Sequence, residues 1–119
     1  MFEIHRDTGS DGALVLHLSG AATVEQADTL RQALLDTIER AEQEHQPLRI
    51  SSTQVTEIDS FILQMLCSAH RTAVARQVVM AWEGSPSAAV MEVIRGNGFI
   101  RHAGCSLCPD DQHCMWCEK

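Results

Sequence analysis

Residues 48–76, LRISSTQVTEIDSFILQMLCSAHRTAVAR, constrain the fold more than any other stretch of the chain. Leu48 and Ile50 begin a buried strand, and the polar residues after them predict that it stops within a few positions. Asp59-Ser60 then precedes a run with apolar residues at helical spacing. Side-chain oxygens at such a position can accept the backbone N–H groups that the first turn of a helix leaves without partners. A strand, a short loop and a capped helix in succession form a strand–helix unit. The loop in such a unit is exposed, and the helix N-terminus favours anionic charge, so function is sought there first.

The flanking sequence extends this unit into an alternating pattern. Residues 2–6 and 13–19 have strand character, and Asp7-Thr8-Gly9-Ser10-Asp11-Gly12 between them is turn chemistry, which predicts a hairpin. His17 reads as a residue of the outward sheet face, with no metal role. Thr23 and Gln26 form a capping box ahead of a long helix whose buried stripe is Val24, Ala27, Leu30, Leu34, Ile38 and Ala41. Glu42 and Glu44 oppose the macrodipole at its end, so fraying is expected before Pro47.

The next helix spans about 61–76, with Ile62, Met65, Leu66, Ala69 and Ala73 as core and Cys67 as a small buried hydrophobe. His70, beside Arg71, is assigned to the surface. Residues 78–82 suit a central parallel strand. Ser85-Pro86 opens a third helix with proline at its first position, and Ala89, Val90, Val93 and Ile94 face inward. Gly96-Asn97-Gly98 ends that helix, and Phe99-Ile100 returns to the core. Strands alternating with helices predict an α/β fold with a predominantly parallel sheet and right-handed crossovers.

This arrangement resembles the STAS family, the sulphate-transporter and anti-sigma-factor-antagonist domain. The resemblance rests on Val55-Thr56-Glu57-Ile58-Asp59-Ser60 followed by Leu63-Gln64-Met65-Leu66, and on the strand, turn and helix order that follows through Phe99. It covers roughly residues 1–100. It implies a mixed, mostly parallel sheet of four to five strands with helices mainly on one face, over 1–103, and leaves 104–119 as a separate tail. It also implies a bacterial, cytoplasmic signalling module that docks on a protein partner, either an anti-sigma or kinase-like ATPase or the ATPase of an ABC-type transport complex. The contact residues would be Thr56, Glu57, Asp59, Ser60 and Phe61. Members switched by phosphorylation carry a Ser or Thr two positions after the aspartate, followed by Gly. Phe61 and Ile62 stand there instead. Ser60 is the remaining candidate phosphoacceptor, and it reads more simply as a helix cap beside the repelling charges of Glu57 and Asp59.

Composition narrows the partner classes. A formal charge of −7 over 119 residues disfavours nucleic acid and anionic membranes, because phosphate neutralisation needs clustered Lys and Arg. No run of about 18 apolar residues suggests membrane insertion, and the N-terminus lacks the basic start and apolar core of a secretory signal. There is no phosphate-binding glycine loop, since Gly84-Ser85-Pro86-Ser87 lacks the required Lys and spacing. Sequence alone places no base beside Ser60. The expectation is a non-catalytic module.

Four of the five cysteines form C-x2-C-x5-C-x2-C at Cys105, Cys108, Cys114 and Cys117. Two such turns can aim four thiolates at a structural zinc ion, with His102 or His113 able to replace one of them. A four-thiolate site has no open position for a substrate. Two disulfides, a redox dithiol, an iron–sulphur site or free thiols remain alternative readings of the same spacing. A tail of this kind would make the module metal- or redox-responsive.

Overall fold

The computed structural model describes residues 2–9 and 11–96. Strand β1 (Glu3–Thr8) and strand β2 (Leu14–Ala22) form the expected antiparallel hairpin. A single 3-10 turn, Val24–Gln26, leads into helix α1 (Ala27–Glu44). Strand β3 (Leu48–Ile58) follows, then helix α2 (Ser60–Ala75), strand β4 (Met80–Trp82) and helix α3 (Ala88–Gly96). The sheet order is β1-β2-β3-β4, with β2–β3 and β3–β4 parallel. This is the mixed, mostly parallel α/β sheet expected from the sequence.

One hydrophobic cluster joins the elements. Leu14, Leu16 and Leu18 of β2, Leu48 and Ile50 of β3, and Met80 of β4 pack with Leu30, Leu34 and Ile38 of α1, Ile62, Leu63 and Leu66 of α2, and Val90 and Ile94 of α3. The helices therefore share the sheet face to which these strand residues point. The cluster excludes water from large aliphatic side chains, each contributing about 1.5–3 kcal/mol on burial.

Several local expectations are corrected. β3 does not stop after Ile50 but continues through its polar stretch to Ile58. β2 pairs with it along this stretch to Ile58, whereas β4 pairs only with Leu48–Ile50. Register shifts between His17 and Ser19 and between Gly20 and Ala21 displace the face of each later residue, which is why a period-two reading finds no strand there. Val24 is 58% exposed rather than part of the α1 stripe. It belongs to the 3-10 turn, whose tighter winding puts it out of phase with the helix. Leu63, absent from the expected core, is fully buried. β4 begins at Met80 and, among the described residues, stands at the sheet edge rather than in the centre. Cys67 is half-buried, packed against the core.

Helix α3 begins at Ala88, not at Pro86. Ser87 caps it instead of Ser85. The Val90 N–H donates to Ser87 Oγ at 3.3 Å, and that hydroxyl donates to the Val55 carbonyl at 2.7 Å. One hydroxyl thus satisfies an orphan helix donor and anchors the helix start to β3. At the far end of α1, His45 adopts a left-handed conformation (φ 55°), and its N–H and that of Gln46 close onto the Glu42 and Ala41 carbonyls. Arg40 pairs with Glu44 at 2.7 Å in the last turn of α1, where fraying was expected.

His70 is 3% exposed, against the expectation of a surface residue. It follows Leu66 by four positions and precedes Ala73 by three, which puts it on the buried stripe of α2. Burial pushes its imidazole pKa down from the usual 6.5. The fold therefore favours the neutral ring, while the unfolded chain takes up a proton first as pH falls. That contribution to stability is complete above the unfolded value and is lost as pH drops through 6.5 toward the folded value. Urea denaturation at pH 7.5 and pH 5.5 is expected to show wild type less stable in acid, with a smaller pH difference in His70→Asn.

Candidate functional site

The site is built where β2 and β3 end and two helices begin. The strand ladder carries β3 to Ile58, and a single residue, Asp59, turns the chain into α2. Val55 and Ile58 are buried, which leaves Thr56 and Glu57 exposed at the strand end. The Asp59 N–H donates to the Ala22 carbonyl at 3.0 Å, and the Asp59 carbonyl accepts the N–H groups of Ile62 (3.0 Å) and Leu63 (3.3 Å).

Asp59 occupies the N-cap position with extended backbone (φ −82°, ψ 148°), yet its side chain makes no capping bond to its own helix. Its Oδ2 accepts the Val24 N–H at 2.8 Å, from a residue 35 positions earlier. The carboxylate joins the β2–α1 turn to the β3–α2 turn. Ser60 is the first residue of α2 rather than its cap, and it is half-buried. The expected reading of both residues as local caps is corrected accordingly. The turn that Asp59 grips is itself braced: the N–H and hydroxyl of Thr23 both donate to Gln26 Oε1, at 3.1 and 2.6 Å. The Thr23–Gln26 capping box read from the sequence is thus present, on the 3-10 turn.

Asp59→Ala is expected to lower stability by about 1–2 kcal/mol, the range for a partly solvated hydrogen bond to a charged acceptor. Asp59→Asn should lose less, since its amide oxygen can still accept from Val24. Urea midpoints of the two variants would show the difference.

Phe61 is 49% exposed and Val24 58% exposed. The Asp59–Val24 bond holds their backbones at the same end of the molecule. Glu25 and Glu57 are exposed beside them. Met65, one turn below Phe61, lines a groove between α1 and α2 of about 150 Å³ together with Arg31, Leu35, Ser68 and Thr72. Leu35 is 36% exposed. The structure therefore brings Thr56, Glu57, Asp59, Ser60 and Phe61 to one end and adds Val24, Leu35 and Met65 to the surface. The helical spacing of Val24 and Met65 predicts core positions for both. Val24 is exposed because it belongs to the 3-10 turn, whereas Met65 is half-buried and packs against the core while also lining the groove.

A larger groove, of about 700 Å³, lies at the opposite end of β3. Its charged residues are tied to neighbours: Arg76 to Glu42 at 3.6 Å, and Arg49 to Asp11 and to Glu83, the latter at 3.3 Å. Those pairs join secondary-structure elements and leave no convergent set of reactive groups. Among the described residues, no three His, Cys, Asp or Glu side chains cluster as a metal site. Cys105, Cys108, Cys114 and Cys117, with the zinc expected at them, lie outside the described residues, as do His102, His113, Phe99 and Ile100. Among the described residues no helix is long and apolar enough to cross a membrane.

A family model described as "Mlab, STAS domain" matches residues 5–101. No curated protein matches the chain. Among solved structures, one described as "Crystal Structure Analysis of Mglu" superimposes with a TM-score of 0.56 at 20% identity, over 68% of this chain and 19% of that one. The chain thus corresponds to a small part of that larger protein, and the similarity concerns the fold alone.

Proposed function

The chain belongs to the STAS domain family, and from that premise we propose that it is a non-catalytic docking module that binds a partner protein through the helix start at 56–63. One observation carries this reading. Phe61, the residue two positions after Asp59, is half-exposed on the first turn of α2. An aromatic side chain left in water at such a position is a suitable anchor for a partner's pocket, because buried aromatic anchors dominate interface energies. Val24 widens the apolar patch, and Glu25 and Glu57 supply a polar rim.

Phe61 has no hydroxyl to accept a phosphoryl group, so docking here is constitutive rather than switched at that position. Ser60 remains the only hydroxyl of the Asp59–Phe61 triplet, and it is half-buried beside a carboxylate. The partner class we favour is a kinase-like ATPase of an anti-sigma type. The second reading is an accessory subunit of an ABC-type transport complex, docked on its ATPase. It is favoured by the same lack of a phosphoacceptor at position 61, because a structural subunit needs no switch.

The test immobilises the full chain and its Phe61→Asp variant and passes native extract of the source organism over both. Mass spectrometry then identifies the retained proteins. A kinase-like ATPase held by wild type and lost by the variant supports the first reading, and a transporter ATPase with the same behaviour supports the second. Equal retention by both proteins removes the docking surface from consideration.

A further inference from the structure

The sheet face away from the helices carries a second constellation. Ile4 packs against the core, so by strand alternation Glu3, His5 and Asp7 of β1 lie on the opposite face. All three are exposed. In the antiparallel register His5 stands directly across from His17 of β2, with Glu3 opposite Ser19 and Asp7 opposite Val15. The two imidazole rings face one another with centroids 6.0 Å apart and planes inclined by 35°.

Two histidines directly opposed on neighbouring strands, with their rings turned together, hold two borderline nitrogen donors on a rigid scaffold. Imidazoles that ligate one ion through one nitrogen each, at about 2.0–2.1 Å, have centroids about 5–6 Å apart. The observed centroid spacing of 6.0 Å lies at the upper end of that range. Glu3 and Asp7 lie on the same face, one on each side of His5 along the strand, and add negative charge that favours a cation. Of the two, Asp7 already accepts its neighbour's N–H, from Thr8 at 2.8 Å. Arg49, the cation in register on the same face opposite Val15, is engaged by Asp11 and Glu83.

The geometry points to the cross-strand pair His5–His17 as a two-imidazole binding site for a borderline divalent transition-metal ion such as Ni2+, Zn2+ or Cu2+, with water in the remaining coordination positions. Imidazole donors suit these ions, whereas Mg2+ and Ca2+ prefer all-oxygen shells. The site shares no residue with the docking surface or with the four tail cysteines, and it does not depend on the proposed function.

The test is a Ni2+ titration of the full chain followed by the imidazole resonances in NMR, with His5→Gln and His17→Gln in parallel. Ni2+ does not oxidise thiols, and any binding at the tail cysteines is common to all three proteins. His45, exposed on the left-handed turn after α1, serves as a single-imidazole reference within the same molecule. The His5 and His17 resonances are expected to respond together, at a Ni2+ concentration at least about tenfold below that for His45, because the second ligand binds intramolecularly. In His5→Gln, His17 should fall back to the response of His45, and His17→Gln should do the same to His5. A His17 response unchanged in His5→Gln, or a wild-type pair that responds only where His45 does, would overturn the site and leave two independent surface imidazoles. Both substitutions fall on the solvent-facing side of the hairpin, and the core resonances of each variant report directly that it is folded.

Discussion

Phe61→Asp is expected to abolish partner capture while leaving the fold intact. The side chain is 49% exposed and belongs to no core cluster, so its removal costs little packing. Solvent-facing substitutions of this kind usually change stability by within about 0.5 kcal/mol. An aspartate in the first turn of α2 also meets the positive end of the helix dipole, where no acidic residue stands now. Docking, by contrast, should suffer twice: the apolar anchor is lost, and a charge would have to be desolvated in the partner's pocket. Truncated anchors typically cost 2 kcal/mol or more, so affinity is expected to fall by about thirtyfold or greater. Calorimetric titration against the captured ATPase would measure it, beside urea curves for both proteins. An affinity within about twofold of wild type would show that Phe61 is not an anchor.

Two residues further along, Leu63→Ala is expected to do the reverse. Leu63 has no exposed surface and packs in the cluster shared by the sheet and all three helices. Truncation of such a residue loses transfer free energy and leaves a cavity, together about 2–5 kcal/mol. Native domains hold only about 5–15 kcal/mol in total, so much of the margin would go. The urea midpoint should fall sharply while the slope stays unchanged, since the surface exposed on unfolding is nearly the same. Whatever protein remains folded at low temperature should still bind the partner. A midpoint unmoved by Leu63→Ala would mean that α2 does not pack through this face. The pair makes a demanding comparison, because both are large apolar residues near the start of one helix that point in different directions.

Much of the architecture was legible because period and punctuation agree. Leu30, Leu34, Ile38 and Ala41 recur at helical spacing and are buried. The turn residues 7–12 separate two strands that pair in register. The errors fall where one residue's environment is set by a distant partner. The polar run Ser51 to Gln54 predicts that β3 ends after Ile50, yet pairing with β2 continues to Ile58 and register shifts rotate its faces. Its charged neighbour Arg71 suggests a surface position for His70, although its spacing from Leu66 and Ala73 puts it on the buried stripe. At the candidate site, the chain position of Thr56 to Phe61 was readable, but the direction of Phe61 was not. A helix-start aromatic can point inward or outward, and packing chooses.

The sequence by itself determined the order of strands and helices, the hairpin and the location of a strand–loop–helix junction at Asp59, because these follow from local periodicity and turn chemistry. Only the tertiary structure decided what Asp59 does. Its nearest donors in sequence are those of its own helix, and a local rule assigns it to them. In the folded chain parallel pairing of β2 with β3 brings the Val24 N–H to within 2.8 Å, from 35 residues away. The carboxylate serves that distant donor, because a contact of this kind exists only once the sheet has set two remote loops side by side.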